Sequence, residues 1–127
     1  MKYGFSKATD YSFEQAIEKV TEELKKEGFG VLTTIDVKDT LKKKIDVEFK
    51  NYTILGACNP KFAHNGLEME EELGLLLPCN VIVYSKDEKT IVSIFNPMIM
   101  TLVIENPEMK NVAEEVKDKL KRVLEAV

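Results

Sequence analysis

Three helix starts punctuate this chain, and they fix most of what it can fold into. Ser12 followed by Gln15 is a capping box, with Tyr11 placed to staple onto Ala16. Asn59-Pro60 and Asn106-Pro107 each set a favoured N-cap before the residue favoured at the first helical position. After Ser12, an apolar stripe of Phe13, Ala16, Ile17, Val20 and Leu24 recurs at helical spacing, and Gly28 suits the residue just past the helix end. After Asn106, Met109, Val112, Ala113, Val116, Leu120, Val123 and Leu124 share one face. The helix begun at Asn59 is predicted to run to about Leu73 and stop at Gly74. Asp36 can cap a short further helix through Ile45, with Lys42, Lys43 and Lys44 solvated.

The segments between these helices read as strands: residues 2–6, 29–35, 49–57, 81–84 and 90–95, the last two as a hairpin around 85–89. Residues 97–104 are an apolar stretch, either another strand or a buried loop. Two strand-helix-strand units favour parallel pairing within each, because a helix of ~14 residues returns the chain by ~21 Å, about one strand length. The expectation is a single α+β domain over residues 1–127: two layers, a mixed sheet, and helices mainly on one face.

Charge narrows the partners. A net charge of −4 repels nucleic acid and anionic membrane as a whole. Arg122 is the sole arginine, whereas bidentate gripping of phosphate or guanine relies on that residue. No nucleic-acid or membrane partner is expected. The apolar runs 75–77 and 81–84 are too short to span a bilayer, and residues 1–5 lack the features of a targeting segment. A cytosolic protein with reduced thiols is the expectation.

The candidate chemistry lies in two Cys-Asn dipeptides, Cys58-Asn59 and Cys79-Asn80, which hold both cysteines and flank the sole histidine, His64. Cys58 lies just outside a helix start, where unpaired N–H groups favour an anion, a thiolate included. The plainer reading is an inert cysteine filling a strand end, and it is the more common one. Pro78 forces Leu77 to be extended, so Cys79 enters a strand; Asn80 can orient a ligand or bond a neighbouring loop. Parallel strands would put the two sulfurs at opposite ends of the sheet, and antiparallel strands would bring them close. The spacing is not CxxC, and an intramolecular disulfide is not expected.

At about 100° per residue, Phe62, Gly66, Met69 and Leu73 share one face of the third helix, while His64, Glu68 and Glu71 point the other way. That leaves His64 solvated without a third strong ligand, so no metal site is expected. Gly66 would let the helix approach the sheet closely. Asn96 and Met98, in the segment Asn-Pro-Met-Ile-Met, can line an adaptable pocket or fill the core. The chain has no P-loop, dinucleotide glycine motif, nucleophile elbow or zinc motif.

The stretches Gly-Val-Leu-Thr-Thr-Ile-Asp-Val at 30–37, Ile-Leu-Gly-Ala-Cys-Asn-Pro at 54–60 and Leu-Leu-Leu-Pro-Cys-Asn-Val at 75–81 resemble the hallmark segments of the prokaryotic domain of unknown function (DUF) 302 family. The resemblance covers nearly the whole chain. It implies a small α+β domain and a homodimer, and it carries no activity, substrate or cofactor with it.

The leading functional expectation is a binding domain for a small ligand with an anionic group. Its site would lie near Cys58-Asn59, joined by Cys79, Asn80, Asn96 or Met98, with no cofactor. The alternatives are a thiol enzyme or redox sensor using Cys58 or Cys79, and a structural homodimeric module.

Overall fold

Ser12 starts α1 (Phe13–Lys26) with both halves of its capping box formed: its hydroxyl accepts from the Gln15 N–H, and the Gln15 side chain accepts from the Ser12 N–H. The helix ends in a Schellman motif. Gly28 N–H donates to Lys25 and Phe29 N–H to Leu24, with Gly28 at φ 86° in the left-handed region that glycine enters without strain. Leu24 and Phe29, the apolar pair that accompanies such a motif, are both buried.

The computed structural model describes residues 1–127. After β1 (Gly4–Thr9) and α1 come β2 (Gly30–Asp36), α2 (Val37–Ile45), β3 (Tyr52–Cys58), α3 (Pro60–Met69), a 3₁₀ segment at Glu71–Leu76, β4 (Cys79–Lys86) and β5 (Lys89–Phe95). A second 3₁₀ turn at Pro97–Ile99, α4 (Met100–Val103) and α5 (Pro107–Ala126) complete the chain. The domain is α+β, with α1 and α5 packed together across one face of a five-stranded sheet.

The sheet order is β1-β5-β4-β3-β2, and all four pairings are antiparallel. This corrects the expected mixed sheet. β1 and β2 do run in the same direction, as the helix between them requires, but they occupy opposite edges and never pair. β3 and β4 are neighbours; α3 and the 3₁₀ segment together return the chain beside its own starting point, so the pair is antiparallel.

β4 and β5 are joined by Asp87-Glu88, both at positive φ (50° and 65°), the type I′ geometry whose twist matches a hairpin. Residues 97–104, expected as strand or loop, form short helical turns. Asn96 caps them through its side-chain oxygen, accepting from the Met98 N–H at 3.0 Å, which is the Asn-Pro signal of the other two starts. α3 is shorter than its spacing predicts: it ends at Met69, and Leu73 belongs to the 3₁₀ segment.

Alternation along the strands divides the sheet. Leu55, Val81, Val83, Val92 and Ile94 face the helices and are buried against Val20, Leu24, Leu120 and Val123. Tyr52, Ile54, Ile82, Tyr84 and Ile91 face the other way and are half-buried, and Ile35 beside them on β2 is 48% exposed. Tyr52 and Tyr84, directly opposite each other, stack at 5.3 Å. No helix is long and apolar enough to cross a membrane.

Candidate functional site

Antiparallel pairing sets Ala57 opposite Cys79, so Cys58 at the end of β3 and Cys79 at the start of β4 lie at one end of the sheet. Both are free thiols. They open onto a cavity of about 40 Å³. Phe62 and Ala63 of α3, Leu73 of the 3₁₀ segment, Met100 of α4, and Met109, Ala113 and Val116 of α5 form half of its remaining wall. Asn59 is the one lining side chain with an amide, and no charged residue lines the space.

Asn59 is where the cavity meets the surface. Its side-chain oxygen accepts from the Phe62 N–H at 3.5 Å and its amide donates to the Glu27 carbonyl at 3.4 Å, so the start of α3 rests against the end of α1. Outside this wall lies a shallow depression bearing Lys26, Lys61 and Lys119, which Asn59 and Phe62 also line. Lys119 approaches the Phe62 ring at 6.0 Å. Glu27 and Glu115 share the depression; Glu27 accepts from Arg122 at 3.0 and 3.2 Å. The Arg122 hydrogen bond, and then the charges of Arg122 and Lys119, hold the Glu27 carboxyl below its usual range against the opposing effect of desolvation.

The two thiols differ. Cys79 is 6% exposed, and burial, with a smaller contribution from nearby Cys58, pushes its thiol up to about 12. It is a neutral, apolar wall group at physiological pH, and the thiolate is the nucleophile. Cys58 is half-buried.

Of the residues singled out in the sequence, Cys58, Asn59 and Cys79 are brought together. Asn80 is not: it sits on the exposed face of β4, opposite Gly56. Asn96 is buried and fully engaged, donating to the Lys2 carbonyl at 2.9 Å while capping the turn after β5. Met98 does not line the cavity; its neighbours Pro97 and Met100 do. His64 faces solvent, 3.3 Å from Glu68, and no group of three or more His, Cys, Asp or Glu side chains gathers anywhere. Gly66 makes room for a side chain rather than for the sheet: a Cβ there would lie 2.5 Å from a terminal methyl of Leu73. Met109 and Leu73 carried only a core signal in the sequence, since an apolar stripe reads the same whether it meets another side chain or a void.

The fold and site together define a small α+β domain with an antiparallel sheet and an apolar cavity between two cysteine-bearing strand ends. The chain belongs to the DUF302 family: the family model described as "Domain of unknown function DUF302" matches residues 5–127. It is similar to a solved structure, the crystal structure of an uncharacterized conserved protein DUF302 from Bacillus stearothermophilus. That chain is 27% identical, with 99% of this chain and 98% of the other covered at a TM-score of 0.92. No curated protein matches.

Proposed function

We propose that the chain is a cytosolic binding domain for a small ligand whose apolar body enters the cavity and whose anionic group rests outside, at the start of α3 beside Cys58-Asn59. The observation that carries this reading is the shared wall: Asn59 and Phe62 line both the apolar cavity and the lysine-bearing depression. A helix start and Lys61 beside it favour a negative group, while Lys26 is paired with Glu23 at 2.8 Å and Lys119 lies 4.0 Å from Glu27. A hydrocarbon lining favours an apolar one, and a dry space of this kind is not stabilised by water. The volume limits the ligand to a few heavy atoms, which selects short-chain carboxylates.

Titration of labelled protein with a straight-chain carboxylate series and the matching alcohols tests the reading by amide chemical shifts. Affinity is expected to rise roughly fourfold per added methylene until the space is full. Shifts are expected at Phe62, Ala63 and Met109, and the alcohols should bind more weakly. Shifts confined to Lys26, Lys61 and Lys119, and equal for inorganic phosphate, would sink it.

The redox alternative draws no support from Cys79, which the apolar wall keeps protonated. A homodimer is favoured by a separate observation, the uncovered apolar face of the sheet around Ile35, Ile54, Ile82 and Tyr84. Antiparallel sheets with one solvated face ordinarily carry polar side chains there. Sedimentation at micromolar concentration is expected to give a dimer that Ile82→Lys converts to a folded monomer. A monomeric parent protein would remove this reading and leave the cavity proposal untouched.

A further inference from the structure

Sulfur is unevenly placed in this fold. The chain has two cysteines and five methionines. The buried ones, Cys79, Met100 and Met109, all line the one apolar cavity, and half-buried Cys58 joins them there. Four separate elements deliver them: the end of β3, the start of β4, α4 and α5. No carboxylate or imidazole reaches the space.

We propose that this cavity binds a soft monovalent metal ion, Cu(I), through the sulfurs of Cys58, Cys79, Met100 and Met109. Thiolate and thioether donors select Cu(I), whereas zinc takes cysteine, histidine and carboxylate ligands, which the cavity does not supply in sufficient number. A volume of about 40 Å³ admits a bare ion but not the hydration shell that a hard cation keeps. One thiolate balances one monovalent charge, so a neutral complex can occupy a hydrocarbon-lined space without an unpaired buried charge. Methionine side chains, with three rotatable bonds, can close on the ion. In binding, a sulfur–hydrogen bond is exchanged for a sulfur–metal bond, the proton leaves to solvent, and copper remains Cu(I). The inference rests on the reading that this cavity is the binding site. It names an occupant that would compete with the apolar body of an organic ligand.

Anaerobic titration of the reduced protein with Cu(I) against a chromogenic chelator tests it, with Ag(I) as a redox-inert probe and X-ray absorption to identify the donor atoms. One ion per chain, release of one proton, and sulfur-only coordination are expected. Cys79→Ala should weaken binding roughly 100-fold, and the double variant Met100→Leu/Met109→Leu, which keeps volume and apolarity, about tenfold. Nitrogen donors at His64, or equal affinity in Cys58→Ala/Cys79→Ala, would overturn the inference. So would Cu(I) binding no tighter than Zn(II). Should the parent protein bind short-chain carboxylates and take no Cu(I), the metal inference falls and the carboxylate reading stands. If the parent takes Cu(I) and no carboxylate binds with or without it, the reverse holds.

Discussion

The two faces of the sheet are built from the same strands and have opposite fates. On the covered face, Val81, Val83, Val92 and Ile94 are at most 1% exposed beneath α1 and α5. On the open face, their immediate neighbours Ile82, Tyr84 and Ile91 remain half-buried, with the Tyr84 ring stacked on Tyr52 and Lys50 lying over it at 4.8 Å. The open face carries these apolar side chains beside polar Asn80, Ser6 and Ser93, without the packing found beneath α1 and α5. The covered face is packed except at one end, where β3 and β4 frame the cavity. Apolar character therefore does not distinguish a core from a surface here. The helices do, and at the Cys58–Cys79 end α3, α4 and the first turns of α5 wall a cavity instead of closing on the strands.

Four measurements bear on that contrast, the largest effect first. Leu24→Ala on the covered side should cost about 2–5 kcal/mol in denaturant unfolding, since Leu24 is fully buried at the α1–sheet junction. A cost below 1 kcal/mol would mean that the two faces differ less than their burial implies.

The second concerns pH. The Cys79 thiol is raised from about 9 to about 12 in the folded chain, so the unfolded state loses its proton first as pH rises. Its stabilising contribution is full below pH 9 and is lost progressively as pH climbs toward 12; the total is up to about 4 kcal/mol, an upper bound. Cys79→Ala should flatten the stability profile across that window, read against the parent protein by urea unfolding. An identical slope in both proteins would contradict the burial of this thiol.

Third, Gly66→Ala should cost about 1 kcal/mol. The gain in helix propensity is outweighed by pushing Leu73 toward the cavity. The same variant should weaken carboxylate binding, because the displaced methyl takes up part of the space. Stabilisation with undiminished binding would show that Leu73 has room elsewhere.

Last, Ile35→Thr on the open face should change the stability of the isolated chain by less than about 0.5 kcal/mol. In the dimer expected at micromolar concentration the loss should be larger and grow with protein concentration; a small change independent of concentration would remove the open face as the interface.

The sequence made the helices legible because their ends are local events. Ser12-Gln15, Gly28, Asp36, Asn59-Pro60 and Asn106-Pro107 each act within a few residues, and each cap forms where its signal lies. Strand partners are not local. Alternation assigns a residue to a face and says nothing of which strand lies alongside, so a strand-helix-strand order suggested parallel neighbours where the chain builds an antiparallel sheet. The site divides in the same way. Asn59 was legible as a cap. The meeting of Cys58 with Cys79 depended on strand direction, and the contributions of Met100 and Met109 depended on how α4 and α5 settle over the sheet end. Asn96-Pro97 carried a helix-start signal that the apolar run after it obscured.

The order β1-β5-β4-β3-β2 has a kinetic meaning. From β2 to β5, each strand pairs with the next in the chain, so these four can zip up through successive short-range closures. β1 pairs with β5 across a long loop, Phe5 meeting Ile94, and Lys7 fastens it to the Leu124 and Glu125 carbonyls at the far end of α5. Closing so distant a contact carries a larger entropic cost, which places it late in folding. The first strand made is thus expected to be the last one seated, and in native-state hydrogen exchange its amides should open at lower free energy than those of β3 and β4. Equal protection across all five strands would show that the sheet assembles and opens as one unit.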